Sequence, residues 1–225
     1  GGTAGRPTLN GEGLQHEDGH SHIIAATVPN CIPYDPTYGH EVAVIIQDGL
    51  KRMVEKQEDV FYYITIMNEN YEQPGLKPGQ EEGILKGMYL FQEGAAHESD
   101  KADAPRVQLI GCGTILRESI FAAELLKNDW GVDADVWSAP SLTLLARDGQ
   151  DCERWNMVNP ELEQRVPYVT SLMQNTTGPI VATTDYMRLF AEQIRAYMPK
   201  DRTYKVLGTD GFGRSDSRVK LREFF

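Results

Sequence analysis

Short apolar runs rich in β-branched and aromatic residues alternate with stretches of helical periodicity along this chain, and that rhythm restricts it to a parallel α/β architecture. The run Ile23-Ile24-Ala25-Ala26-Thr27-Val28 reads as a strand closed by Pro29-Asn30, and Pro33 to Pro36 mark a turn. Over 37–56 the apolar residues Val42, Ala43, Ile45, Ile46, Leu50 and Met53 recur at helical spacing, and 60–66 follows as a strand. The rhythm stops after Glu72, where Pro74-Gly75 and Pro78-Gly79 precede a short apolar patch and a polar Ala/Asp/Glu stretch. It restarts with a strand over 107–110, a helix over 114–127, a strand over 134–138, a helical segment over 142–147, a strand over 179–182, a helix over 186–197 and a strand over 204–207. The expected organisation is one α/β piece over 1–75, a linker with a small insert over 76–104, and a second α/β piece with a mainly parallel sheet over 105–225.

At 225 residues the chain exceeds the usual single domain of roughly 100–200 residues, which allows two such pieces. Its 22 basic and 33 acidic side chains give a formal charge of −11, with no Lys/Arg stripe. That charge opposes nucleic-acid and membrane-surface binding and suits a partner with a basic face. No apolar run approaches the roughly 20 residues of a membrane helix, and Gly1-Gly2-Thr3-Ala4-Gly5 lacks the features of a signal peptide. The cysteines Cys31, Cys112 and Cys152 have no CxxC spacing, so neither a disulfide framework nor a zinc knuckle is indicated, and a reducing cytoplasm is the expected compartment. With no initiator Met and a last stretch, 221–225, that reads as part of a helix, the chain is expected to be a piece of something longer.

The densest chemistry is His16-Glu17-Asp18-Gly19-His20-Ser21-His22, which holds three of the five histidines in a Gly-flanked loop. Taken alone, His16-Glu17-x-x-His20 matches the zinc-hydrolase pattern, which needs both imidazoles on one helical face. Gly11, Gly13 and Gly19 oppose that helix, each costing about 1 kcal/mol against Ala. Gly111-Cys112-Gly113, between an expected strand and helix, stands where a phosphate-binding turn would be. Leu116 occupies the place of the third glycine, so a tight strand-to-helix turn is the expected role. Asp210-Gly211-Phe212-Gly213 resembles a kinase triplet without the loop, Lys and catalytic segments that accompany it. Cys31 and Cys152 are expected to pack as small apolar groups.

The string Gly11-Glu12-Gly13-Leu14-Gln15-His16-Glu17-Asp18-Gly19-His20-Ser21-His22 resembles, almost letter for letter, the active-site loop of homodimeric, bacterial-type pyruvate dehydrogenases. These are the thiamine-diphosphate-dependent decarboxylating components of the pyruvate dehydrogenase complex. Three further stretches agree: Tyr62-Tyr63-Ile64-Thr65 with Asn68-Glu69-Asn70-Tyr71, the string from Leu145 to Asn156, and the string from Leu207 to Arg218. The Glu17-Asp18-Gly19-x-x-His22 core is also similar to the corresponding loop of transketolases.

The resemblance implies a parent of three α/β domains. This chain would hold the end of the pyrimidine-binding transketolase-like domain and then most of the carboxy-terminal transketolase-like domain. The implied reaction is oxidative decarboxylation of pyruvate, with the acetyl group passed to the lipoyl group of dihydrolipoyl acetyltransferase, toward acetyl-CoA and CO2. The family segments that hold Mg2+, the diphosphate and the aminopyrimidine have no counterpart here, so thiamine diphosphate and Mg2+ are expected to be bound mainly by absent parts. In the family the cofactor lies between subunits, which makes the homodimer necessary and an isolated piece inactive.

Pyruvate is an anion with a reacting carbonyl, and imidazole, which titrates near neutral pH, can offer it a cation or move a proton. The matching position favoured for that role is His16, with His22, aligned with the transketolase histidine, next and His20 after it. Asp18 is expected to orient an imidazole. Other readings are another thiamine-dependent 2-oxo acid dehydrogenase or transketolase-like enzyme, a zinc hydrolase using His16 and His20, or a non-catalytic α/β interaction module.

Overall fold

Asp18 starts the first helix. Its Oδ1 accepts the amides of His20 at 2.9 Å and Ser21 at 2.8 Å, and the Ser21 hydroxyl donates to the same carboxylate. The amides of Ile23 and Ile24 then turn back to the His20 carbonyl. Ser21–Ala26 is therefore helix α1 and not the strand expected from its apolar run. A short apolar run is compatible with either state, and here the capping carboxylate decides. The computed structural model describes residues 18–67, 70–94, 105–210 and 216–224.

Strand β1, Cys31–Tyr34, lies where the prolines led us to expect a turn. It pairs with β2, Phe61–Ile64, in a parallel sheet of two strands among the described residues, with Cys31 opposite Phe61 and Pro33 opposite Tyr63. Between them run helix α2, Gly39–Leu50, and a π-helical turn, Lys51–Glu55, which together fill the helix expected over 37–56.

The second sheet has five strands. They are β3 Tyr89–Gln92, β4 Arg106–Gly111, β5 Asp133–Ser138, β6 Ile180–Met187 and β7 Tyr204–Thr209, in the order β3-β5-β4-β6-β7. All pairs are parallel except β3 with β5. Helices α3 Gln80–Lys86, α4 Ile115–Trp130, α5 Leu142–Val158, α6 Tyr168–Met173, α7 Leu189–Glu192 and α8 Arg218–Phe224 connect and flank these strands. The stretch expected as a linker thus supplies α3 and an edge strand, which at four residues is too short to show a period. The helix expected over 186–197 is instead the end of β6, the single turn α7 and a 3-10 turn Arg195–Tyr197. β6 continues because Met187 regains pairing with Thr209 after an irregularity past Thr183. No helix among the described residues is long and apolar enough to cross a membrane.

Two polar groups, one buried and one half-buried, join the halves. The fully buried carboxylate of Glu41, on α2, accepts the amides of Thr37 at 2.5 Å and Tyr38 at 3.0 Å through Oε2. Its Oε1 accepts the Tyr89 hydroxyl of β3 at 2.7 Å and the Ser138 hydroxyl of β5 at 2.6 Å. Four donors on one carboxylate are what a buried charge needs. On α5, the Arg147 guanidinium donates to the carbonyls of Cys31 at 2.6 Å, Val28 at 2.9 Å and Ala26 at 3.2 Å, and so closes the end of α1.

Glu41→Ala should therefore lower unfolding free energy by at least about 3 kcal/mol in urea denaturation, since each buried donor left unpaired costs about 1–3 kcal/mol, whereas Tyr89→Phe should cost about 1 kcal/mol. Burial, helped by the Glu41 carboxylate, pushes the Tyr38 phenol up to about 12 and the Tyr89 phenol higher still; burial likewise raises Tyr34 and Tyr204. An unfolded chain releases those protons near the ordinary value of about 10, before the native chain does, so stability should fall as pH rises above about 10. Phenolate absorbance should then climb together with unfolding, not ahead of it.

Candidate active site

In an open α/β sheet, ligands enter at the carboxyl ends of the strands where the winding reverses. Here that point lies at β4, flanked by β5 and β6, and the chain fills it from within. Asp35, just past β1, donates its amide to the Pro140 carbonyl at 2.7 Å and accepts the Gly113 amide at 3.0 Å on its own carbonyl. The Thr37 hydroxyl donates to the Gly113 carbonyl at 2.7 Å. Gly113 has φ +51°, and a Cβ there would run into the Asp35 carboxylate. The Gly111-Cys112-Gly113 turn is thus the tight strand-to-helix turn expected, and a carboxylate stands where a phosphate would have to sit.

Directly beside this junction lies His22, 1% exposed. Its Nε2 is 2.9 Å from the Thr65 hydroxyl, at the end of β2. Thr65 donates to Asp35 Oδ1 at 2.5 Å, and the Tyr186 hydroxyl of β6 lies 3.3 Å from Thr65 Oγ1 and 3.4 Å from Asp35 Oδ1. Phe190 of α7 stacks on the imidazole at 5.0 Å between centroids, while Tyr63 at 5.2 Å and Tyr186 at 4.9 Å meet it edge-on. The Met187 amide also donates to the Gly19 carbonyl at 3.0 Å, tying the start of α1 to β6.

The residues expected from sequence separate clearly. His16, with Glu17, lies outside the described residues. His20 is half-buried at the start of α1, and His22 is sealed beneath it. Asp18, expected to orient an imidazole, accepts hydrogen bonds from the amides of His20 and Ser21 and from the Ser21 hydroxyl, and so shapes the start of α1 through the main chain. Sequence reasoning missed Asp35, Thr65, Tyr186 and Phe190; only Thr65 carried a signal, as the last residue of the Tyr62-Tyr63-Ile64-Thr65 string. Cys31, Cys112 and Cys152 are buried, and burial pushes the Cys31 and Cys152 thiols up, in line with a packing role. Asp148, within the string from Leu145 to Asn156, accepts the Tyr168 amide at 2.6 Å and so begins α6.

A family model described as the pyruvate dehydrogenase E1 component middle domain matches residues 1–74, and one described as the transketolase-like TK C-terminal domain matches 87–225. The chain belongs to the pyruvate dehydrogenase E1 component family. It is 59% identical over 225 residues to the pyruvate dehydrogenase E1 component of Cupriavidus necator, covering 100% of this chain and 24% of that protein. With the same component of Pseudomonas aeruginosa it shares 60% identity over 225 residues, 100% of this chain and 25% of the relative. The chain thus spans about a quarter of the length of the curated relatives it matches. A transketolase from Pichia stipitis superposes with a TM-score of 0.65 at 16% identity, over 99% of this chain and 27% of that one, which establishes the transketolase-like fold. In this E1 family member the second match starts at residue 87, ahead of β3 and within the stretch expected as a linker, and β3 pairs in the second sheet.

Gly113→Ala should displace Asp35 and strain the turn, lowering stability by about 2 kcal/mol or more, read as a fall in Tm. Asp18→Ala should cost about 1 kcal/mol through loss of its bonds to the amides of His20 and Ser21.

Proposed function

We propose that the chain is part of a thiamine-diphosphate-dependent pyruvate dehydrogenase. The whole enzyme oxidatively decarboxylates pyruvate and passes the acetyl group to the lipoyl group of dihydrolipoyl acetyltransferase, toward acetyl-CoA and CO2. The observation that carries this reading is the histidine loop, anchored at its carboxy-terminal end by buried His22 in a chain about 60% identical throughout to proteins named pyruvate dehydrogenase E1 component. The relatives' name supports pyruvate as the substrate and work within the complex. The acidic surface and buried cysteines fit a reducing cytoplasm.

The described residues do not fit the diphosphate end of the cofactor. The crevice where an anion would be received is closed by Asp35, and no group of three His, Cys, Asp or Glu side chains among the described residues is placed to hold a metal ion. Thiamine diphosphate and Mg2+ would be bound by other parts of the longer protein and across a homodimer, so the role of this chain lies on the substrate side. There His16 would meet the carboxylate or carbonyl of the 2-oxo acid, with His22 and His20 the next candidates for that role and Asp18 fixing the backbone at the start of α1. The zinc-hydrolase alternative is tested by metal analysis of the purified protein: stoichiometric zinc lost in His16→Ala would replace the present reading.

Two measurements test the proposal. Calorimetric titration of the 225-residue chain should give negligible thiamine diphosphate binding with or without Mg2+, and tight Mg2+-dependent binding would overturn the assignment of the anchors to other segments. In the full-length enzyme, His16→Ala should lower kcat by about 10²–10³, the usual effect of losing one preorganised donor, with cofactor affinity within a few-fold. Normal turnover in that variant would overturn the role of His16.

A further inference from the structure

From the hydrogen-bond directions around His22 we infer that Thr65 and Asp35 are positioning residues that set which nitrogen of that imidazole carries the proton. This rests on the reading of His22 as part of the active-site loop and adds how its state is fixed.

A threonine hydroxyl has one proton to give. Thr65 gives it to Asp35 Oδ1 at 2.5 Å, so at the 2.9 Å contact with His22 its oxygen accepts. Nε2 therefore holds a proton, and in the neutral ring Nδ1 is the acceptor. The donor at one end is directed by a carboxylate at the other, with a hydroxyl between them, and the tautomer follows from the acceptor-only character of that carboxylate.

The geometry resists the alternatives. The Asp35 backbone is tied to the second sheet through Pro140 and Gly113, and its carboxylate packs against Gly113. The imidazole cannot turn over without displacing Phe190, Tyr63 or Tyr186, whose rings enclose it at 4.9–5.2 Å. His22, Thr65 and Asp35 are exposed by 1%, 6% and 2%, so water does not compete for these bonds. The three come from α1, the end of β2 and the end of β1, and the ring enclosure adds β6 and α7. A histidine needed only to fill space could have been satisfied by one hydroxyl. A carboxylate behind that hydroxyl adds a direction to the chain.

The test uses the full-length enzyme with thiamine diphosphate and Mg2+, and the variants Thr65→Val, Thr65→Ser, Asp35→Asn and His22→Ala, each checked for native Tm and dimer. Thr65→Val keeps the shape and removes the acceptor. It should lower kcat roughly 10- to 100-fold, as loss of a partner that orients an imidazole does, with pyruvate KM and cofactor affinity within about threefold. Thr65→Ser should restore kcat to within about threefold. Asp35→Asn is the polarity test, since its amide can donate to Thr65 and turn the hydroxyl round to donate to Nε2; a loss of kcat like that of Thr65→Val is expected, and it decides the matter if Thr65→Val does not fold. Native kcat in Thr65→Val or Asp35→Asn alongside an impaired His22→Ala overturns the positioning role, as does a change confined to KM or Tm. Native turnover in His22→Ala overturns instead the reading of His22 on which the inference stands.

Discussion

The exchange of backbone hydrogen bonds at Asp35 is the constraint on which the arrangement depends. One residue past β1, it gives its amide to Pro140 and takes the amide of Gly113, so the carboxyl end of the small sheet is held against the carboxyl end of the large one at the point where the winding reverses. Because backbone groups make the contact, its geometry does not depend on a rotamer. The glycine is required there by its positive φ and by the space that the Asp35 side chain occupies. What would be an open crevice in a free-standing α/β domain is thereby turned into a packed junction beside His22.

Glu41 and Arg147 serve the same junction from either side. Glu41 takes donors from both halves, and Arg147, on α5 of the second, donates to three carbonyls of the first. The boundary between the halves is consequently pinned by polar pairs set into an apolar seam, in which Ile32 and Tyr34 cluster with Ile84 and Tyr89. Two apolar faces could slide against each other; groups bonded in this way set one register. That precision suits a site in which a ring must be held at a fixed angle over a strand end.

Much of this was legible from local pattern. The second sheet's parallel strands and α4 were readable because apolar periodicity runs for several turns or bounds a clear strand, and the histidine loop was readable as a contiguous string. Where the reading failed, the deciding interaction was not local in pattern. The Ile23 to Val28 run became helical through a carboxylate at Asp18, outside the run, and β1 contains a proline yet pairs in register with β2, about thirty residues on. β3 was hidden by its length and by needing β5, more than forty residues on, to define it. Asp35, Thr65, Tyr186 and Phe190 surround one histidine only because topology brings strand ends together; no spacing rule links residues separated by 121 or 151 positions.

The aromatic enclosure of His22 takes Tyr63 from the first half of the chain and Tyr186 and Phe190 from the second. Ring faces and edges that meet in this way have to change together or not at all, so the two halves form one heritable unit at this spot even though separate family models describe them. A chimaera that joins the first half of one relative to the second half of another would bring together surfaces shaped by different histories, and the mismatch would fall on the histidine they share.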